Sequence, residues 1–206
     1  MDFEFFRTIP LVTRSFLLLS VASVMLVSFG VVHPVEVVFS PLLVFQERQY
    51  WRLITNFFYF GHLDLNSILE LHWLCVVSSG IELQYFRRRK VDYCITLFAG
   101  MSLLLLFRCL RVVDTPYLSF SLCNALAYLF SRLMPEQEAN IFLLVTIPVR
   151  LLPLFFLAIA IIFDMQRSIR LIVVENLVGH ILWYFLEIFP CITRVHPLRL
   201  QEMFMQ

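Results

Sequence analysis

The sequence predicts an all-α membrane protein, a bundle of six transmembrane helices with an interfacial, amphipathic first loop. Three observations predict it. First, 60% of the 206 residues are hydrophobic and the mean hydropathy is +0.83, against roughly 45–50% apolar residues in soluble domains. Second, six apolar windows follow one another, each near the roughly 20 residues that a helix needs to cross hydrocarbon. Third, an aromatic ribbon, Trp51-Arg52-Leu53-Ile54-Thr55-Asn56-Phe57-Phe58-Tyr59-Phe60-Gly61, lies between two of these windows. It is too polar to span and too apolar for an ordinary soluble loop.

The windows are residues 15–32, 66–81, 93–113, 117–134, 141–163 and 171–189. The first is the cleanest. Arg7 and Arg14 precede it like a signal n-region, but no small-x-small cleavage site follows, so it is expected to stay as an anchor. The second holds Glu70 and His72, and the third has Arg108 and Arg111 near its end. In the fifth, Arg150 lies between Pro148 and Pro153, so a kink is expected at the charge. One domain over residues 1–206 is implied, without linkers or a repeat of fixed period.

Lys and Arg set the orientation. Six spans put both termini on one side, together with Arg7, Arg14, the block Arg87-Arg88-Arg89-Lys90, Arg132, Arg194 and Arg199. The other side receives Arg48, Arg52, Arg108, Arg111, Arg167 and Arg170. The compact basic block decides for cytosolic termini, with anionic-lipid contact as its secondary role. Residues 33–64 then form a long first loop on the far side, expected to lie in the membrane interface. Within it Trp51 favours the headgroup region. Arg52 is expected to lay its stem on apolar surface and send its charge to the phosphates. Asn56 and Gly61 would shape the ribbon.

The windows are poor hydrocarbon. Glu70, Arg150, Glu175, Asn176 and His180 fall inside them, and ionisable groups at that depth are functional candidates. Two polar stripes at helical spacing stand out: Ser121, Asn124 and Tyr128, and Asn176, His180 and Tyr184. Facing each other they would make a wet interior groove. The plainer reading is helix-to-helix hydrogen bonding.

Other classes are disfavoured. A net charge of +1 argues against nucleic-acid partners. Five glycines, all scattered, leave no phosphate-binding loop. The five cysteines form no CxxC and read as small core residues. His33, His62, His72 and His196 lack metal spacing, so no metal and no cofactor is expected. His62 and Asn66 read as capping or interfacial polarity.

At this point the residues resemble the derlin family of the rhomboid-like superfamily. Ile9-Pro10-Leu11-Val12-Thr13-Arg14 is similar to the family's Pro-x-Val-Thr-Arg segment. Trp51-Arg52 with the run to Gly61 is similar to its WR motif. Glu82 matches the acidic residue closing the second span, Tyr128 to Arg132 the end of the fourth span, and Gly179-His180 with Phe185-Leu186-Glu187 and Phe189-Pro190 the sixth span and exit. The resemblance implies a six-helix rhomboid-like pseudoprotease of the endoplasmic reticulum membrane, linked to the unfolded protein response. It would help move misfolded lumenal or membrane proteins to the cytosol for degradation, beside a membrane ubiquitin ligase complex and a pulling AAA ATPase. Short polar spans would thin the bilayer by mismatch. A polar lateral groove, lined or braced by Glu70, Asn124, Arg150, Glu175, Asn176, Gly179 and His180, would lower the cost of passing backbone amides. Self-association stays open.

The chain departs from the family pattern in four places. It ends at Gln206 without a long tail, so the ATPase is expected to act indirectly. Glu175 replaces the first glycine of a GxxxG, which would loosen packing there. Glu70 stands where the superfamily tends to have Asn, and the second span lacks a basic residue. Two alternatives remain. A rhomboid-type serine protease would use a Ser121–His180 dyad. Phe120 and Leu122, however, replace the glycines of the Gly-x-Ser-Gly loop, which hides the hydroxyl and spoils the oxyanion site. The other alternative is a non-catalytic scaffold, which should tolerate changes at Trp51 and Arg52. A transporter is disfavoured because no inverted repeat is found.

Overall fold

The first helix, α1 (Leu11–Ser28), begins directly after Pro10, whose apolar ring offers the helix start no side-chain cap. The computed structural model describes residues 9–87, 89–141, 145–162, 169–193 and 197–199. Arg7, Arg88, Arg167, Arg194 and His196 lie outside the described residues. After α1 the chain turns at Gly30 (φ +72°) into three short helices, α2 (Pro34–Val37), α3 (Pro41–Phe45) and α4 (Arg52–Thr55). Proline opens both α2 and α3, where its missing N–H costs nothing. A second glycine at positive φ, Gly61 (+96°), ends this loop. There only glycine is unstrained.

Helix α5 (Leu65–Gly80) starts in a capping box. Asp64 Oδ1 accepts the Ser67 amide at 2.7 Å and Ser67 Oγ accepts the Asp64 amide at 3.1 Å. The cap is therefore this pair, and His62 lies exposed outside it. The helix continues as a π-helix over Ile81–Phe86. Then follow α6 (Lys90–Cys109), α7 (Ser119–Leu133), strands β1 (Glu138–Ile141) and β2 (Val145–Pro148), a 3-10 turn (Val149–Leu151) and α8 (Leu152–Ile162). The last run is α9 (Ile169–Trp183), a π-helix (Tyr184–Ile188) and α10 (Phe189–Thr193).

The protein is thus mostly helical, and among the described residues three helices are long and apolar enough to cross a membrane: Leu11–Ser28, Lys90–Cys109 and Ile169–Thr193. The expected window 141–163 is not one helix. Its first part pairs as an antiparallel ladder, Glu138 opposite Pro148 and Ile141 opposite Val145. The physical reason is local. Val145-Thr146-Ile147 is β-branched, and Pro148 biases the residue before it away from helical backbone. Helix α8 starts only at Leu152, with Pro153 in its first turn, where proline is tolerated.

Helix α7 is the hub. It packs against α5, α6, α8 and α9, and ten of its residues are buried, from Ser119 to Ser131. Many are small: Ser121, Cys123, Ala125, Ala127 and Ser131. In hydrocarbon, helices associate through close packing, and small side chains let backbones approach. With 15 residues, α7 is roughly 22 Å long at 1.5 Å per residue, well short of a ~30 Å hydrocarbon core.

Candidate functional site

The seam between α7 and α9 brings the first polar stripe onto its partner helix. Asn124 Nδ2 donates to Glu175 Oε2 at 2.9 Å, and Glu175 is 1% exposed. One turn further, Tyr128 Oη and His180 Nδ1 lie 3.1 Å apart. Arg132 closes the row: its Nε donates to Tyr128 Oη at 3.1 Å, and its guanidinium lies over the rings of Tyr128 (5.4 Å) and Trp183 (5.6 Å). Of the expected α9 stripe, His180 meets the first stripe at Tyr128. Glu175, Val178, Gly179 and Leu182 are buried, while Asn176 is half-buried and Tyr184 exposed. Nor does Glu175 loosen the contact. A Cβ on Gly179 would meet the Ala125 carbonyl oxygen at 2.6 Å and Tyr128 Cβ at 2.9 Å, so the two backbones touch there.

Above the seam lies a cavity of about 700 Å³, lined by Asn66 and Glu70 of α5, residues 111–117, Phe120 and Ser121 of α7, and Arg170 and Leu171 of α9. Three sequence-distant segments supply carboxylates from Glu70 and Asp114 and guanidiniums from Arg111 and Arg170. Asn124 and Glu175 follow one turn below Ser121 and Leu171. Polar groups therefore run from an open charged mouth into the centre of the bundle. Arg150 does not join them. It is exposed in the 3-10 turn that precedes α8, because β2 replaces the helix that would have carried it inward.

In the first loop the Trp-Arg pair divides. Trp51 is 56% exposed, alongside exposed Leu42, Phe45, Tyr50 and Ile54, an apolar face suited to an interface. Arg52 turns inward and is 6% exposed. Its Nη1 donates to the carbonyls of Val35 (2.6 Å) and Val38 (2.9 Å), and its Nε to Gln49 Oε1 (2.6 Å). The expectation that its charge reaches the phosphates is corrected: it pins α4 to the end of α2. The cause is the two carbonyls left unpaired where α2 stops after one turn.

Asn56 is fully buried. It donates to the Arg52 carbonyl and accepts the Leu118 amide on its own carbonyl at 3.3 Å. Phe57, Tyr59 and Phe60 are buried too, and Ser119 Oγ bonds the Tyr59 carbonyl. The ribbon is a plug under the cavity-forming loop, with only Trp51 and its neighbours facing out. Burial, and then the charge of Asp64, push the Tyr59 phenol above its ordinary range.

A further polar chain was legible in the sequence only as the single acid Glu82. Its carboxylate accepts the amides of Val12 (3.0 Å) and Thr13 (2.8 Å) and the Thr13 hydroxyl (2.9 Å). Thr13 Oγ1 also pairs with Ser78 Oγ at 2.8 Å, which in turn meets Tyr93 Oη. This is an N-terminal cap delivered from a different helix. The 78/82 spacing, one turn apart, and Thr13 in the segment before the first window are the sequence signals that could have found it.

The dyad geometry is not formed. Ser121 is 1% exposed and lines the cavity. The His180 nitrogen instead faces Tyr128, seven residues and roughly 10 Å along α7. Among the described residues no group of three metal-ligating side chains is present.

Comparison with known proteins gives a consistent result. Residues 9–198 match the model of the Der1-like family. The chain is 32% identical to Derlin-1 of Arabidopsis thaliana over 95% of its length and 70% of that protein's. It is 26% identical to Derlin-2.2 of Arabidopsis thaliana over 95% and 83%. With a probable derlin-2 homolog of Dictyostelium discoideum it shares 26% identity over 92% and 76%.

Proposed function

The chain belongs to the Der1-like family, a derlin of multi-pass membrane character, and on that premise we propose that it serves endoplasmic-reticulum-associated degradation. In this reading it sits in the endoplasmic reticulum membrane with six spans and both termini cytosolic. It assists misfolded lumenal or membrane proteins on their way to the cytosol. A membrane ubiquitin ligase complex and an AAA ATPase complete the pathway, and the chain itself performs no catalysis. The observation that carries this reading is the seam. A charged cavity of about 700 Å³ opens above a half-buried Asn124 bonded to a buried Glu175, on a hub helix of 15 residues. Backbone amides are expensive in hydrocarbon. Short polar spans thin the bilayer around them, and polar side chains at the seam offer partners to a passing segment.

The test is the half-life of a misfolded lumenal reporter in cells lacking this chain, rescued with wild type, with Asn124→Leu/Glu175→Leu, or with Ser121→Ala. Rescue by wild type and Ser121→Ala, with failure of the apolar seam variant at equal protein level, supports the proposal. Failure of Ser121→Ala at equal level restores the protease reading. Rescue by the seam variant leaves a scaffold.

A further inference from the structure

We infer that the cavity at the ends of α5 and α7, on the face that carries the basic block, binds the phosphate of an anionic phospholipid headgroup. The cavity measures about 570 Å³ and is lined by Arg87, Arg89, Gln84, Gln137, Tyr85, Leu133 and Met134. Two guanidiniums enter it from one short turn. Arg87 adopts a positive φ of +49°, an arrangement costly for a residue with a Cβ. It reverses the chain so that both side chains reach the same space. Arg87 commits Nε to the Gln84 carbonyl at 3.3 Å, and its Nη groups make no hydrogen bond among the described residues. Arg89 is held in place by the rings of Tyr85 (6.0 Å) and Phe86 (5.9 Å).

The opposite wall is the end of α7 and the turn that follows it. Gln137 Nε2 donates to Gln84 Oε1, which ties the two walls together, and the Val149 amide fixes Gln137 through its carbonyl at 2.8 Å. Among the described residues no carboxylate lines the cavity. The nearby Glu187 is engaged by Tyr85 and by Arg199 at 2.7 Å, and Asp92 in the first turn of α6 is buried. Paired guanidiniums match phosphate oxygens. Leu133 and Met134 select the source: a free phosphate gains nothing from an apolar wall, while a phospholipid has its glycerol and acyl carbons to lay there. The depth agrees, because Phe86 ends the π-helix of α5 and Leu133 ends α7, so the cavity lies where both helices leave hydrocarbon. The inference rests on this cavity alone and not on the degradation role.

The experiment is calorimetric titration of the full chain, purified in an uncharged detergent, with dioctanoyl phosphatidylinositol, dioctanoyl phosphatidylcholine and inorganic phosphate. Saturable binding of the inositol lipid and none of the choline lipid is expected. Arg87→Gln/Arg89→Gln should weaken it roughly tenfold or more. Met134→Glu, which leaves the basic block intact, should do the same and decides alone if the double variant does not fold. Lys90→Gln, in the same block but outside the cavity, should stay within about twofold. Equal loss in Lys90→Gln, full affinity in Met134→Glu, equal binding of the choline lipid, or inorganic phosphate binding as tightly would each overturn the proposal.

Discussion

Glu82 Oε2 takes both the amide and the hydroxyl of Thr13, at 2.8 and 2.9 Å. One carboxylate near the end of the second long helix therefore holds the start of the first. Pro10 gives α1 no side-chain cap of its own, and Glu82 satisfies donors that would otherwise be orphaned.

Glu82→Gln replaces one acceptor oxygen by a donor that faces an amide N–H. A hydrogen bond to a charged group contributes roughly 1.5–3 kcal/mol. For a chain of this size, each kcal/mol shifts the melting temperature by about 2–4 °C. The expected outcome is a fall of about 3–12 °C in the detergent-solubilised protein, read by thermal unfolding. A change below 1 °C would mean that the cap contributes nothing.

Gly179 predicts a contrast. Gly179→Ala would set a Cβ 2.6 Å from the Ala125 carbonyl, which is backbone and does not yield. Forcing α7 and α9 apart costs about 1–3 kcal/mol or more and should break the Tyr128–His180 contact. At Gly100 the same change meets the Leu182 Cδ1 methyl at 3.2 Å, a flexible end that rotates aside. Melting temperatures should separate the two, with Gly179→Ala clearly lowered and Gly100→Ala close to wild type.

The seam shows what could be read from the residues. Asn124 and Tyr128 announce themselves by their one-turn spacing on a helix of small residues. Their partners sit on α9, which is apolar nearly all round, so its sequence does not fix which edge faces inward. The sequence offers Glu175, Asn176 and His180 together, and the fold buries Glu175, leaves Asn176 half-buried and turns His180 to Tyr128. The window 141–163 failed for a related reason: hydropathy weighs Val, Thr and Ile alike in strand and helix, and only β-branching with Pro148 marked the difference. The charged cavity was invisible because residues 66–70, 111–121 and 170–171 meet only after folding.

Trp51 and Arg52, neighbours in sequence, should behave as opposites. Arg52→Lys keeps the charge but cannot reach Val35, Val38 and Gln49 together, since an ammonium lacks the planar fork. It should lower the melting temperature by several degrees. Trp51→Ala removes an exposed ring and should leave stability within about 0.5 kcal/mol, while weakening the loop's hold on the interface. Site-directed fluorescence at residue 54 with brominated lipid reads the second effect. If Trp51→Ala lowers quenching without moving the melting temperature, and Arg52→Lys does the reverse, the division of labour holds.

The Tyr59 phenol makes the stability of the loop seam sensitive to alkali. Burial, then Asp64, raises its pKa above the ordinary value of 10.0. The folded state therefore holds its proton more tightly than the unfolded chain. The sign follows from linkage. Below pH 10 both states are protonated and the contribution is complete. Above pH 10 the unfolded chain releases its proton first, so stability declines as pH rises toward the folded value. Tyr59 packs against Tyr117 at 4.6 Å between ring centroids, so ionisation also charges the junction between the first loop and α7. Melting temperatures between pH 9 and 11.5 should fall more steeply for wild type than for Tyr59→Phe, which keeps the ring and removes the proton. Parallel curves would show that Tyr59 ionises in the folded protein as readily as in the unfolded chain.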